Sequence, residues 1–255
     1  MTRVFLWGIG GKMGHTLLSL ADEMQDITVV GGFDPFADPS KFAVKVFNKT
    51  DDIDTPMDVI IDFSRPEAME DILRVAERFS SAAIFATTGY SQEQLQRMHD
   101  ASDHLAVFRT SNFSIGVNLL IGLCRKAAAV LGDAYDIEII EQHHNRKVDA
   151  PSGTALTLAE EINDARNNSK RFVFGRSGNQ AKRQPDEIGI HAVRGGTVVG
   201  KHDVQFMGTD EVITLSHEAQ SKAVFAQGAL RAAVYLTGAK PGFYTMQDVL
   251  KEYLD

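Results

Sequence analysis

Short apolar runs alternate with amphipathic stretches through the first 113 residues, and the pattern predicts strands at 3–7, 27–33, 58–62, 82–86 and 105–109. Between them Met13 to Met24, Pro66 to Phe79 and Gln92 to Asp100 carry helical spacing, with Pro66 suited to a first helical turn behind Ser64 or Arg65 as cap. Strand and helix in alternation build βαβ units, so this stretch predicts a doubly wound parallel sheet. After Asn112 the rhythm changes. A helix over about 115–131, a strand over 135–141, a polar loop and a helix over 154–166 lead into a glycine-punctuated β region from 172 to 216. There the alternation Asp203-Val204-Gln205-Phe206-Met207 and the run Val212-Ile213-Thr214-Leu215 predict an open mixed sheet whose exposed face suits a subunit contact. A helix over Ala223 to Leu236, stopped by Thr237-Gly238 and Pro241, and a short element over 246–254 return to the first part. The expected division is residues 1–113 plus 226–255 for one domain and 114–225 for the other.

The first strand empties into Gly8-Ile9-Gly10-Gly11-Lys12-Met13-Gly14, which opens a helix. Glycine there lets the backbone turn tightly, approach a pyrophosphate and bring helix onto strand, while the helix start offers free N–H groups and the positive end of its dipole. The glycines follow G-x-x-G-x-x-G at Gly8, Gly11 and Gly14, so a glycine turn with no ligand stays open as an alternative. Twenty residues on, Asp34 ends the second strand, placed to accept hydrogen bonds from an adenosine ribose, although Asp-Pro is also an ordinary turn. Pro35 follows where a guanidinium would meet a 2′-phosphate, so NADH is expected over NADPH, with Lys12 the one loop cation that reaches a phosphate. Ala86-Thr87-Thr88-Gly89 and Thr110-Ser111-Asn112-Phe113 follow strands at their carboxyl ends, where ligands lie in open α/β sheets. They are candidates for the nicotinamide end, or simply caps for the helices that follow. The expected fold is α/β, a Rossmann-like domain beside an α+β domain with the open sheet.

The densest chemistry is Glu141-Gln142-His143-His144-Asn145-Arg146-Lys147-Val148-Asp149-Ala150-Pro151-Ser152-Gly153-Thr154-Ala155. A Ser152-Gly153-Thr154 corner at a helix start resembles a clamp for a carboxylate, and histidine is the natural proton donor near neutral pH, with Lys147 beside it. A solvated loop capped by Ser152 or Thr154 is the plain alternative. The His143-His144 pair has no third ligand at helical or hairpin spacing, so no metal site is expected.

The run from His143 to Ala155 resembles the signature H-H-x-x-K-x-D-A-P-S-G-T-A of the 4-hydroxy-tetrahydrodipicolinate (dihydrodipicolinate) reductase family. The likeness extends to the glycine loop, to Ala86-Thr87-Thr88-Gly89, to Asn112-Phe113-Ser114-Ile115-Gly116-Val117-Asn118 and to His191-Ala192-Val193-Arg194-Gly195-Gly196. The resemblance implies His143 as proton donor with Lys147 as a second donor. It implies that His144, Lys147, Ser152, Gly153 and Thr154 bind a dicarboxylate substrate. For NAD(P)H it implies Gly8, Ile9, Gly10, Gly11, Lys12 and Met13 at the pyrophosphate, Asp34 at the ribose, and Ala86, Thr87, Thr88, Thr110, Ser111, Asn112 and Phe113 at the nicotinamide. It further implies a homotetramer paired through the second domain's sheet and a place in lysine synthesis by the diaminopimelate route. With the cofactor expected on one domain and the substrate clamp on the other, closure about the crossings near Phe113 and Phe225 is expected as well. Two departures stand out: Pro35 replaces the basic residue of members that favour NADPH, and Gln142 and Asn145 vary within or beside the signature. The alternatives are another two-domain NAD(P)-dependent dehydrogenase of amino or oxo acids, and a non-catalytic NAD(H)-binding regulator.

Composition narrows the partners. With 26 Lys and Arg against 34 Asp and Glu, the net charge is −8, which gives no basic footprint for nucleic acid or an anionic membrane. An anionic substrate then needs a local cationic pocket, which residues 143–147 supply. The single cysteine, Cys124, sits in an apolar run and is expected to be buried, leaving no internal disulfide. Residues 1–7 are too short for a signal core and no run of about 18 apolar residues is expected, so a cytoplasmic protein follows.

Overall fold

The computed structural model describes residues 1–254; Asp255, the last residue of the expected first domain, lies outside the described residues. The chain forms two compact units, one from Met1–Ser114 with Ala223–Tyr253, the other from Ile115–Lys222.

The first unit runs through β1 (Thr2–Trp7), α1 (Lys12–Ala21), β2 (Ile27–Phe33), β3 (Val46–Phe47), β4 (Val59–Asp62), α2 (Met69–Phe79), β5 (Ala82–Phe85), α3 (Gln92–Ala101) and β6 (Ala106–Arg109). Its seven strands are all parallel in the order β12-β6-β5-β4-β1-β2-β3, with β12 defined below. Phe5, Leu6, Ile60, Ile61, Ile84 and Phe85 are wholly buried, because a sheet covered on both faces turns alternation into continuous apolar runs. Each such side chain contributes about 1.5–3 kcal/mol by leaving water. α2 covers one face with Met69, Ile72, Leu73, Val75 and Ala76, and ends at Ser80 in the left-handed region (φ 52°). Pro66 does sit in a first turn, but that turn is a 3₁₀ segment (Pro66–Ala68) and Arg65 before it makes no side-chain capping bond. The order changes direction between β1 and β4, which pair with Trp7 opposite Asp62, and that switch point is where a doubly wound sheet opens a ligand crevice.

The second unit continues with α4 (Ile115–Leu131), β7 (Asp136–His143), α5 (Gly153–Asp164), β8 (Arg171–Phe174), β9 (Glu187–Arg194), β10 (Gly200–Met207) and β11 (Val212–Ala219). The chain then returns to the first unit with α6 (Ala223–Leu236), β12 (Gly242–Tyr244) and α7 (Met246–Leu254). The second sheet is mixed, in the order β11-β10-β7-β9-β8, with β7, β8 and β9 parallel and β10 antiparallel to both its neighbours. Ile137, Ile139, Ile188, Ile190, Val204 and Phe206 face a core completed by Val117, Leu120, Ile121, Cys124, Ala155, Leu158 and Ile162 of the two helices.

One expectation needs correcting: the helical segment Ile115–Ala134, α4 with the turn after it, does have the length and apolar composition of a membrane-crossing helix. It packs as a core helix instead. Its Val117, Leu120, Ile121 and Cys124 are buried in the unit, and Arg125 on its outer face pairs with Glu161 and Asp164 of α5. The opposite face of the sheet carries Lys201, Asp203, Gln205 and Met207, half-buried, beside exposed Val212 and Thr214.

Candidate active site

In the first unit the turn from β1 to α1 has the backbone that glycine permits. Gly8 sits at φ +80°, and a Cβ there would come within 3.2 Å of the Phe63 carbonyl oxygen and Ser64 Cβ. A Cβ on Gly14 would overlap the Ile9 and Gly8 carbonyl oxygens, so glycine is what lets α1 start against β1. One on Gly10 would stand 2.8 Å from Asp34 Oδ2. Asp34 accepts from the N–H groups of Gly10 (3.1 Å) and Phe36 (2.9 Å), which binds the glycine loop to the turn after β2. These groups border a cavity of about 680 Å³ lined by Gly8, Gly11, Asp34, Phe36, Ser64 and Arg65, among others. A cradle that any Cβ would fill, beside a cavity of this size with a carboxylate at the end of β2, fits a dinucleotide.

Ala86–Thr88 and Thr110–Phe113 extend the carboxyl ends of neighbouring β5 and β6, which pair through Phe85 and Arg109. Phe113 is buried against Phe63 and Phe108, and Asn112 Oδ1 accepts from the Ser114 N–H at 2.8 Å, so the second segment is fixed. Sequence reasoning gave Arg65 only a capping part and missed that it lines the 680 Å³ cavity, and it missed Asp62 at the end of β4. Burial pushes the Asp62 carboxyl up, against hydrogen bonds from Ser64 and Tyr90 (3.0 Å). Its Ile60-Ile61-Asp62 context, an acid closing an apolar strand, was the available signal.

In the second unit the cationic cluster is built on β7, β9 and β10. Period-two alternation along β7 puts Ile137, Ile139, Glu141 and His143 on the covered face, so the strand that anchors the core also buries the acid and the imidazole. His143 Nδ1 lies 2.6 Å from Glu141 Oε2. Arg194, paired with His143 in the β7–β9 register, sends Nη1 and Nη2 to the two Glu141 oxygens at 2.7 Å each. Glu141 Oε1 also accepts the Ser152 N–H at 2.9 Å. Ser152 is the N-cap of α5, its Oγ accepting from Ala155 N, and it touches His202 Nε2 at 3.0 Å. His202 stands opposite Glu141 in the β7–β10 register, with its ring 5.2 Å from that of His143.

The charges follow from these contacts. Burial alone would raise Glu141, but Arg194, His143 and the Ser152 N–H together hold it below the usual carboxylate range. Burial lowers His143, opposed by Glu141 and assisted by Lys147 and Arg194. His202, buried and beside His143, is pushed down to about 4 and is neutral near pH 7.

The expected residues gather with one difference. Lys147 has a partner, Asp149 Oδ1 at 2.8 Å, and that pairing holds Asp149 low. His144 donates its N–H to the Val198 carbonyl, while its Nδ1 is buried without a hydrogen-bond partner among the described residues. A Cβ at Gly153 would meet nothing within 4 Å, so space lies open over the start of α5, where Thr154 follows. Arg194 stood within the quoted signature without a role, and His202 was overlooked. The signal for His202 was the alternation it shares with Val204 and Phe206 on a strand with one covered face.

The family models for the dihydrodipicolinate reductase N-terminus and C-terminus match residues 2–113 and 116–250. The chain is 46% identical over 252 residues to 4-hydroxy-tetrahydrodipicolinate reductase of Caldanaerobacter subterraneus subsp. tengcongensis, covering 99% of both chains. To the enzyme of the same name from Clostridium botulinum it is 45% identical, covering 98% of each. Among solved structures, dipicolinate-bound dihydrodipicolinate reductase from Paenisporosarcina sp. TG-14 aligns with a TM-score of 0.78 at 24% identity, over 97% of this chain and 98% of that one.

Proposed function

The chain belongs to the dihydrodipicolinate reductase family, and on that premise we infer that it is an NAD(P)H-dependent 4-hydroxy-tetrahydrodipicolinate reductase, forming tetrahydrodipicolinate on the diaminopimelate route to lysine. The observation that carries this reading is the second unit's cluster, where a buried imidazole and the open start of α5 are held by the same carboxylate.

Gly8 to Met13 would hold the pyrophosphate and Asp34 the ribose, with Ala86–Thr88 and Thr110–Phe113 around the nicotinamide. When bound, the reduced nicotinamide supplies a hydride to ring carbon 4 of the dehydrated substrate. The chain's own part is to grip and to protonate. Gly153 and Thr154 offer N–H groups to one substrate carboxylate, with no side chain at Gly153 in the way, while buried Ser152, its own N–H on Glu141, serves as the N-cap that fixes their position. Lys147 and His144 take the other carboxylate, Lys147 exchanging Asp149 for the substrate. His143 gives its proton to carbon 3, and Lys147 beside it acts as the second donor. His143 is held low in the free enzyme, so a dianionic substrate arriving beside it is what loads the proton.

NADH is the preferred cofactor, because the Asp34 carboxylate would repel a 2′-phosphate and Pro35 supplies no charge against it; Arg65 is the counterweight. The half-open face of the second sheet pairs subunits into a homotetramer, and the enzyme works in the cytoplasm. The test is a coupled assay that generates the unstable heterocycle in place and follows nicotinamide absorbance. Turnover with kcat/KM for NADH at least about tenfold above NADPH is expected. No turnover on this substrate alongside turnover on an oxo acid would replace the reading with the wider dehydrogenase class.

A further inference from the structure

Glu141 has no exposure at all, yet it is a carboxylate held in its charged form. A lone buried carboxylate is costly, so its donors must account for it. It has four. Oε2 faces His143 Nδ1 at 2.6 Å and Arg194 Nη1 at 2.7 Å, while Oε1 faces Arg194 Nη2 at 2.7 Å and Ser152 N at 2.9 Å. The guanidinium fork neutralises the acid and fixes its plane, and each oxygen has one site left. One of those sites takes the proton donor and the other takes the N-cap of the anion-binding helix.

We propose that Glu141, braced by Arg194, is a positioning residue that sets the tautomer of His143 and holds it in register with the start of α5. This rests on the reading of His143 as the proton donor. An ionised carboxylate only accepts, so the shared hydrogen belongs to Nδ1, and Nε2 is the nitrogen left to carry the proton used in chemistry. Gly200 keeps that nitrogen clear: a Cβ there would stand 3.0 Å from His143 Nε2. The groups that face the ring are Glu141 on its own strand, Arg194 on β9, neutral His202 on β10 and Lys147 in the following loop. Glu141 is the only anion among them, and three of its four contacts would survive if His143 were inert, so titration separates positioning from mere packing.

The decisive experiment labels histidine nitrogen in the whole enzyme and records the imidazole signals against pH, assigning His143 with the His143→Gln variant. Above its titration, His143 should show a protonated Nδ1 and a bare Nε2; the reverse tautomer overturns the proposal and needs no variant to fold. Glu141→Gln then removes the anion. The limb on which kcat falls with rising pH should move down by about one pH unit, with kcat at pH 7 reduced at least about tenfold and KM for NADH within about twofold of wild type. A folded Glu141→Gln enzyme whose limb and kcat both stay in place also overturns it. A wild type without turnover sinks the functional reading alone, since the spectrum decides the tautomer independently.

Discussion

His202 shows how a residue with no direct part in the chemistry governs the acid side of stability. Its folded-state pKa lies near 4, against about 6.5 in the unfolded chain, so folding favours the neutral ring. The stabilisation is complete above pH 6.5 and is lost as pH falls from there toward 4, a loss on the order of 3 kcal/mol. Glu141 adds a second loss lower down, because its depressed pKa stabilises the fold above the unfolded value and fails as pH drops through the folded one. Denaturant midpoints measured from pH 7.5 to 4 should fall steeply in wild type and less in His202→Gln; equal slopes would remove His202 from this role. Lys147→Ala should raise KM for the dicarboxylate by about tenfold or more, since a carboxylate loses its counter-charge, and an unchanged KM would return Lys147 to its pairing with Asp149. At this scale His143, Lys147 and the Ser152 corner were legible because they are close in sequence. The Glu141–Arg194 pair was not, since 53 residues separate them and no spacing rule reveals which strands will be neighbours.

Two glycines on two helix starts separate folding from binding. Gly14 has carbonyl oxygens where its Cβ would go, so Gly14→Ala should displace α1, lower stability by about 1–3 kcal/mol and weaken NADH binding together. Gly153 has open space, so Gly153→Ala should leave the thermal midpoint within about 2 °C of wild type and still raise KM for the dicarboxylate. Calorimetry and kinetics on the pair check this, and a Gly153→Ala enzyme with normal KM would take α5 out of substrate binding. The longer elements were readable: β2 and α4 fall where apolar spacing placed them, because their periodicity runs over seven residues or more. β3 and β12, of two and three residues, are too short to show a period at all. β9 was hidden inside the general β region because Glu187, His191 and Arg194 break its apolar pattern, each being held by a charge partner elsewhere.

Across the molecule the net charge is −8, and the cations nearest His143 are already paired, Arg194 with Glu141 and Lys147 with Asp149, so a dianion would depend on Lys147 exchanging its partner and on the N–H groups at the start of α5. The fold class was legible because a two-face-covered parallel sheet and a one-face-covered mixed sheet write different patterns. If the proposed homotetramer pairs through the open sheet face, exposed Val212 and Thr214 are covered by a second subunit, and Thr214→Arg should give smaller species than wild type in sedimentation without unfolding the chain. In the proposed reaction everything turns on the buried imidazole of the second unit delivering the proton. The most direct measurement is kcat of His143→Gln in the coupled assay, with NADH affinity measured beside it. A loss of about 10² to 10⁴ in kcat at unchanged NADH affinity is expected. A variant that turns over at the wild-type rate would contradict it.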